Sequence, residues 1–391
     1  MAEEKEVSYS QKNLIDDILV NSVQQRASDV HLDRTEHHLE VRFRIDGTLQ
    51  LVDKLPIHLA DEIFSRIKVL SEIDITEKRR PQDGHFEFRA GPETYNVRVS
   101  TLPAARGEAV ALRILNNREI LLPINELGFD NKQLDLLSSV IHNPNGIVLI
   151  TGPTGSGKTT LLYSALNTFN KIENNIVTIE DPVEIKLDGA RQAQTNESLG
   201  ITFASVLRSV LRQDPDVLMV GEIRDSETAQ IAFQAALAGR LVYSTFHTYD
   251  MPSLVIRFNE MGVPFSVIAQ AIVGVISARL VRKVCSNCRE PYNPTSAEIA
   301  MLNTDQDVTI YKARGCADCK NTGYIGRTGI FEIIKLNEDL RSAIAEQKPS
   351  SELKAMLEEQ NFQSLKESAL QKVQEGVTTF EEIHRVLGLY D

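Results

Sequence analysis

The 391-residue sequence contains no apolar run that approaches the ~18 residues a membrane-spanning helix requires. Its first residues, MAEEKEVSYS, also lack the apolar core of a secretion signal. The sequence has no internal repeat and no low-complexity segment. These absences favour a cytoplasmic or peripherally membrane-bound protein.

Basic residues are scarce relative to acidic ones. The chain has 42 Lys and Arg against 54 Asp and Glu, a formal net charge of -12. This charge opposes non-specific binding to nucleic acid, although a local basic groove can coexist with it. A content of 42% apolar and 25% charged residues excludes wholesale disorder. The length predicts two or three domains.

The first part of the chain has the pattern of an α+β domain. Apolar residues recur with helical spacing between residues 9 and 26, and residues 28–52 alternate between apolar and polar as half-buried strands do. A tight turn is predicted at Asp46-Gly47. A second helix and three further strand-like runs follow, at residues 85–90, 95–102 and 109–115. We predict an α+β domain over residues 1–115 and a linker over residues 116–128.

The pattern then changes to short apolar strands that alternate with helices. The strands are GIVLI (146–150), IVTIE (176–180), VLMVGE (217–222) and LVYSTFH (241–247). This alternation predicts an α/β domain with a largely parallel sheet and crossover helices. We predict that the α/β domain spans residues 129–284, with a cysteine-bearing subdomain at 285–330 and a helical C-terminal subdomain at 331–391.

A glycine-rich segment after the first of these strands has the pattern of a phosphate-binding loop. GPTGSGKTT lies between the strand GIVLI and the helical sequence TLLYSALNTF, as the G-x-x-x-x-G-K-[ST] pattern requires. Glycines allow backbone N–H groups to surround a phosphate, and the helix N-terminus adds partial positive charge. We expect Lys158 to reach the β- and γ-phosphates of ATP and Thr159 to bind Mg²⁺. The predicted nucleotide site comprises Gly152, Pro153, Thr154, Gly155, Ser156, Gly157, Lys158, Thr159 and Thr160.

Three other strands end in residues that suit nucleotide chemistry. Glu222 ends VLMVGE, where the usual metal-binding Asp is missing, so it would act on Mg²⁺ through bound water or on the attacking water. Glu180 ends the strand of TIEDPVE, where ligands bind in parallel sheets, although an acidic capping loop is the alternative. His247 closes the next strand at the same sheet edge, which favours a phosphate-sensing role over that of a surface histidine.

The four cysteines form two C-x-x-C pairs separated by 27 residues. Two such turns can direct four thiolates to one ion, so Cys285, Cys288, Cys316 and Cys319 are predicted to hold a structural zinc ion. The gap between the pairs predicts an inserted loop. Disulfide bonds are the alternative, which a reducing cytoplasm disfavours.

The motifs in their order along the chain resemble the secretion and pilus-assembly ATPases, the type II secretion and type IV pilus extension motors. They are SDVHLD with RFRIDG, KRRPQDGHF, NVRVSTLP, GPTGSGKTT, TIEDPVE, LRQDPDVLMVGEIRD, GRLVYSTFHT and the paired C-x-x-C, and they cover essentially the whole chain. The resemblance implies a homo-hexameric ATPase with a PAS-like sensory-type α+β domain before a RecA-like domain, and ATP between them. It implies that Arg98 and Arg113 approach the phosphates.

The resemblance also implies a cytoplasmic Mg-ATPase, peripheral at a bacterial inner membrane, that powers assembly of a pilus or pseudopilus through a membrane platform protein. In this mechanism Glu180 polarises the attacking water, Glu222 organises Mg²⁺ and its waters, and His247 reads the γ-phosphate. The assignment between the two glutamates stays open.

Several alternatives accompany this interpretation. Extension motors carry a tetracysteine module that retraction motors generally lack, so the cysteines favour assembly over retraction. A nucleic-acid motor is disfavoured by the net charge, and a nucleotide-binding switch without sustained turnover is disfavoured by the carboxylates. Extension motors usually begin with an additional domain, whereas this chain starts just before the helix leading into SDVHLD. We therefore expect a short member of the family or a trimmed form.

Overall fold

The computed structural model describes residues 14–115, 121–248, 250–302, 308–359 and 362–388. The chain divides into two compact units, residues 1–118 and 119–391. Residues 116–120 of the predicted linker lie outside the described residues.

The first unit contains one six-stranded antiparallel sheet and two helices. The helices are α1 (Leu14–Gln24) and α2 (Ala60–Leu70). The strands are β1 (Ala27–Arg34), β2 (His38–Ile45), β3 (Thr48–Pro56), β4 (Gln82–Ala90), β5 (Glu93–Ala104) and β6 (Gly107–Leu115). They pair in the order β3-β2-β1-β6-β5-β4. The predicted strands of this part of the chain are confirmed.

Alternation of apolar and polar residues determines which face of this sheet is buried. In β2 every second residue is buried, and these residues join the helices in one apolar core. The predicted turn at Asp46-Gly47 connects β2 to β3, and both residues have positive φ, 49° and 83°. Positive φ at both central positions is the geometry of a two-residue hairpin that follows the strand twist.

The second unit is built on a seven-stranded sheet of the order β15-β12-β7-β11-β10-β8-β9. Its strands, with the separate β13–β14 hairpin, are β7 (Gly146–Thr151), β8 (Ile176–Glu180), β9 (Ala190–Gln194), β10 (Val217–Glu222), β11 (Leu241–Phe246), β12 (Ile272–Val284), β13 (Arg289–Tyr292), β14 (Ile310–Ala313) and β15 (Tyr324–Lys335). All neighbours pair in parallel except β12 and β15. The expected parallel α/β sheet is confirmed.

Helices cover both faces of this sheet. The described helices of this unit are α3 (Asn131–Ile141), α4 (Lys158–Leu166), α5 (Phe203–Val210), α6 (Ser226–Leu237), α7 (Met251–Glu260), α8 (Phe265–Ala271), α9 (Ser296–Leu302), α10 (Glu338–Ala345), α11 (Ser350–Glu359), α12 (Leu365–Gln374) and α13 (Phe380–Leu387). α3 and α4 pack on one face, and α5 to α8 with α10 and α11 pack on the other. β7 is buried at all six positions, as a strand covered on both faces must be.

The longest strands of the sheet were not anticipated. β12 has 13 residues and pairs antiparallel with the 12-residue β15, which adds a seventh strand. β15 runs through residue 330, where the predicted division between the cysteine-bearing and helical subdomains falls. α12 and α13 pack against the β12–β15 pair, in an apolar cluster separate from those on the two sheet faces. A long-range pairing of this kind leaves no local signal in the sequence because its partners lie about fifty residues apart.

Candidate functional site

The phosphate-binding loop, residues 152–157, connects β7 to α4 at the carboxyl edge of the sheet. Gly157 precedes the helix with a φ of 89°, in the left-handed region that glycine adopts without a steric penalty. A Cβ atom on Gly152 would lie 2.5 Å from Ser156 Oγ and 2.6 Å from the Ala278 carbonyl oxygen. The loop is therefore tightly folded, and the α4 N-terminus at its end favours an anion.

Lys158 occupies the centre of this loop. The side chain is 8% exposed, and its Nζ donates hydrogen bonds of 2.9 Å to the carbonyl oxygens of Gly152 and Pro153. Burial lowers the pKa of Lys158 to about 8, an effect that the Glu222 carboxylate opposes and the Arg279 guanidinium reinforces. A buried ammonium group of this kind gains from a neighbouring polyphosphate. Thr159, the predicted Mg²⁺ ligand, is exposed in the first turn of α4.

The ends of β8, β10 and β11 bring acidic and basic groups together beside the loop. Glu222 Oε2 lies 4.0 Å from His247 Nε2, and Glu222 Oε1 accepts a hydrogen bond from Arg224. Arg224 also donates to Asp181 Oδ2 at 3.2 Å. Because neighbouring parallel strands end at one edge, residues far apart in sequence meet here, as the strand pattern predicted.

Glu180 differs from Glu222 because it is buried, with 3% of its surface exposed. Tyr163 donates a hydrogen bond to Glu180 Oε2. The other oxygen, Oε1, accepts from Thr178 Oγ1 at 2.5 Å and from Gln192 Nε2 at 3.0 Å. Burial, followed by the contact with Glu180, raises the pKa of Tyr163 well above its ordinary value. Protein donors therefore hold both oxygens of this carboxylate.

The two predicted phosphate-contacting arginines lie in the first unit. Arg98 on β5 and Arg113 on β6 are directly opposite each other in the sheet. Arg113 Nε donates to Asp29 Oδ1 at 3.0 Å, and its side chain is 56% exposed. Their contact with a nucleotide stays a prediction.

Three residues of this site were missed in the sequence. Tyr163 contacts Glu180, and its position four residues after Thr159 was a usable signal because such residues share a helix face. Arg224 contacts Glu222 from two residues further along the same segment. Arg279 on β12 is 8% exposed. Its Nη1 atom lies 3.0 Å from the position that a Cβ atom on Gly152 would occupy. No motif marked Arg279, because only the β7–β12 pairing brings it to the loop.

The four cysteines form one cluster, with all Sγ atoms within 4.8 Å of one another. The Sγ–Sγ distances are 3.9 Å for Cys285–Cys316, 3.7 Å for Cys288–Cys319 and 3.7 Å for Cys316–Cys319. A tetrahedral ion with Zn–S bonds of about 2.3 Å requires sulfur atoms about 3.8 Å apart. All four thiols are free, so the geometry fits one metal ion and does not fit disulfide bonds.

Backbone donors favour the thiolate form of Cys319. Cys319 Sγ accepts hydrogen bonds from the N–H groups of Cys316 at 3.1 Å and Gly323 at 3.2 Å. Burial alone would raise the pKa of Cys319, but these N–H groups, followed by the side chains of Cys288 and Cys316, lower it to about 6. In contrast, burial raises the pKa of Cys288 to about 12. The thiolate is the form that binds a metal ion.

The phosphate site and the fold together define a class of protein. Lys158 and the α4 N-terminus attract a polyphosphate, and the nearby carboxylates suit the metal ion that accompanies it. An α/β sheet with this loop after a central strand is the core of a P-loop ATPase.

The sequence profile described as "Type II/IV secretion system protein" matches residues 4–385. The chain belongs to this family, so the membership predicted from the motifs is confirmed.

Curated relatives agree with this assignment. The "Type II secretion system protein E" of Pseudomonas aeruginosa is 45% identical over 375 residues, which cover 95% of this chain and 74% of the relative. The "Type II secretion system ATPase E" of Vibrio cholerae is 41% identical, with coverage of 95% and 74%. The "Type IV pilus assembly ATPase PilB" of Acinetobacter baylyi is 43% identical, with coverage of 95% and 65%.

Solved structures share the fold. The ATPase DotB of Legionella pneumophila has a TM-score of 0.71 at 21% identity, with coverage of 97% of this chain and 96% of DotB. The pilus retraction motor PilT with bound ADP has a TM-score of 0.62 at 24% identity, with coverage of 95% and 96%. At these identities the likeness concerns the fold alone. None of the described helices has the length and apolarity needed to cross a bilayer.

Proposed function

We propose that this chain is a Mg-ATPase that powers assembly of a type II secretion pseudopilus or a type IV pilus. The observation that carries the proposal is similarity to two named ATPases, a type II secretion ATPase and a pilus assembly ATPase. Each is at least 41% identical to this chain over 95% of its length. The buried Lys158 at the phosphate loop supplies the ATP-binding chemistry.

The surroundings of each site residue support a different role in hydrolysis. Backbone groups of the loop and Lys158 hold the phosphates, and Thr159 holds Mg²⁺, which when bound neutralises charge on the β- and γ-phosphates. Glu222, 23% exposed and within 4.0 Å of His247, organises the Mg²⁺ waters, while His247 senses the γ-phosphate. Glu180 polarises the attacking water. Support for the last role is its location on β8 and its contact with the helix that bears Thr159.

The second unit is RecA-like in this proposal, and the first is a PAS-like sensory-type domain. The strand order supports the first assignment, because β11 and β10 lie side by side next to the loop strand β7. The helices and antiparallel sheet of the first unit support the second assignment. Six subunits form a ring, in which Arg98 and Arg113 stabilise the negative charge that develops at the γ-phosphate.

The cysteine cluster holds zinc in this proposal. Four thiols at tetrahedral spacing suit Zn²⁺, which would fix the loops before β13 and before β15 as a structural ion. One zinc per chain in elemental analysis is the expected result. This module favours assembly over retraction, with an inner-membrane platform protein as the partner of a cytoplasmic, peripherally membrane-associated motor.

Mg-ATP hydrolysis per chain, measured against protein concentration, tests the proposal. We expect the specific rate to rise and then reach a plateau, because a site completed by neighbouring subunits requires assembly. Sizing at the same concentrations should place the rise at the formation of the hexamer. Absence of turnover at every concentration, with the hexamer formed, would contradict an ATPase motor.

A further inference from the structure

Tyr163 is a fully buried side chain on the helix that follows the phosphate-binding loop. It belongs to α4, four residues after Thr159. Side chains four residues apart on a helix lie one above the other on the same face, with Cβ atoms about 5–6 Å apart. Tyr163 therefore stands one helical turn below the predicted Mg²⁺ ligand.

The hydroxyl group of Tyr163 connects this helix to the end of β8. It donates a hydrogen bond to Glu180 Oε2, and the nearest other acceptor, the Ile185 carbonyl oxygen, lies 3.5 Å away. A hydroxyl group has one proton to donate, and the shorter contact to a carboxylate is the stronger one. Tyr163 therefore uses its single hydroxyl proton for the hydrogen bond to Glu180.

The other oxygen of Glu180 is held equally firmly. Thr178 donates to Oε1 from two residues earlier on β8, and Gln192 donates from β9, where it is paired with Thr178. Gln192 is itself fixed, because its Nε2 donates to the Ile185 carbonyl oxygen at 2.9 Å and its Oε1 accepts from the Leu187 N–H at 2.6 Å. The three donors to Glu180 are neutral, so they orient the carboxylate without cancelling its charge.

We infer that Tyr163 is a positioning residue that fixes the Glu180 carboxylate to the helix bearing Lys158 and Thr159. The inference rests on the proposed role of Glu180 in hydrolysis. A carboxylate that acts on water must keep one position relative to the phosphates, and a contact to the phosphate-binding helix supplies that constraint. Tyr163 acts through Glu180 and not on ATP.

A packing role is the alternative, and the chain contains a matched control. Tyr243 on β11 is also fully buried and belongs to the same apolar cluster as Tyr163. Its hydroxyl group donates to the carbonyl oxygen of Ile141, the last residue of α3. Both Tyr→Phe substitutions remove one buried hydrogen bond, but only Tyr163→Phe releases Glu180.

The experiment compares Tyr163→Phe and Tyr243→Phe in the full-length chain by steady-state ATP hydrolysis and thermal unfolding. We expect kcat of Tyr163→Phe to fall about tenfold, the equivalent of one hydrogen bond, with KM for ATP changed less than about twofold. Tyr243→Phe should keep the wild-type kcat while losing comparable thermal stability. Wild-type kcat in Tyr163→Phe, or an equal kcat loss in both variants, would overturn the inference.

Two further variants separate this inference from the role of Glu180 itself. Glu180→Gln alone should abolish most turnover, and adding Tyr163→Phe should cause no further loss, because the tyrosine acts through the glutamate. Wild-type turnover in Glu180→Gln would refute both the role of Glu180 and the inference. Multiplicative losses in the double variant would refute the inference alone. If Tyr163→Phe does not fold, Thr178→Val removes the donor to the other oxygen with the side-chain shape retained, and the same non-additivity is expected.

Discussion

Glu222 and Glu180 are both glutamates at the ends of parallel strands, yet their surroundings differ. Glu222 is partly exposed beside His247 and Arg224, whereas protein donors hold both oxygens of the buried Glu180. The pattern of strand ends predicted that both would reach the sheet edge. It could not distinguish them, because two of the three donors to Glu180 come from α4 and β9, at sequence separations of 17 and 12 residues.

Glu222→Gln is the residue-level prediction. The amide keeps the side-chain size but loses the charge that attracts Mg²⁺ and its waters, so we expect kcat to fall on the order of a hundredfold. Binding of an ATP analogue should change much less, since Lys158 and the loop remain. Glu260→Gln, which alters an exposed carboxylate paired with Arg257 on α7, is the control and should keep full turnover. Unchanged kcat in Glu222→Gln would remove Glu222 from the mechanism.

At the scale of elements, a buried ion cluster ties α13 to β12. The side chain of Glu382 is fully buried and accepts hydrogen bonds from the backbone N–H and Nε of Arg282, and from Nε and Nη2 of Arg385. The Arg282 guanidinium also lies 3.9 Å from the centre of the Tyr324 ring. Helix α13 is thus attached to the longest strand pair of the sheet. Periodicity predicted the C-terminal helices but not this attachment, which joins residues 100 positions apart.

Glu382→Gln should therefore destabilise the second unit. Removal of the charge leaves Arg282 buried without its counter-ion, at a cost of about 3 kcal/mol in the free energy of unfolding. The exposed Arg257–Glu260 pair gives the contrast, because Glu260→Gln should cost less than about 1 kcal/mol. Denaturant unfolding at pH 7 measures both. Equal losses in Glu382→Gln and Glu260→Gln would mean that burial of the ion cluster adds nothing to the free energy of unfolding.

The same cluster gives stability a pH dependence. Burial alone would raise the pKa of Glu382, but hydrogen bonds from Arg385 and Arg282 lower it below its ordinary value of 4.5. A carboxyl with a depressed pKa in the folded state stabilises the protein above the ordinary pKa, and this contribution disappears as the pH falls through the folded-state pKa. Wild type should therefore lose more stability than Glu382→Gln when the pH is lowered from 6 to about 3.

At the scale of the whole molecule, the proposed function depends on contacts between copies of the chain. Arg98 and Arg113 share one region of the first unit, on neighbouring strands and in register. In the proposed hexamer, these arginines serve the phosphate site of a neighbouring subunit. Activity would then belong to pairs of subunits and not to single chains.

Mixing of two inactive variants tests this arrangement. Arg113→Ala keeps the phosphate loop, and Lys158→Ala keeps the arginines, so random co-assembly in equal amounts should restore about a quarter of the sites. ATP turnover of the mixture should rise well above that of either variant alone. Arg89→Ala, an exposed arginine on β4, should be fully active without mixing. If the mixture stays inactive although both variants assemble together, the arginines do not act between subunits.

The sequence by itself determined the features that depend on local pattern. Alternation predicted the strands of the first unit, apolar runs predicted four strands of the second, the glycine loop indicated the phosphate site, and two C-x-x-C turns indicated the cysteine cluster. These signals are contained within a few residues, so they can be recognised without knowledge of the fold. Only the tertiary structure decided that Tyr163 holds Glu180, that Arg279 lies beside Gly152, and that β12 pairs with β15. Each of these contacts joins distant segments, and only the packing of the whole unit selects such partners.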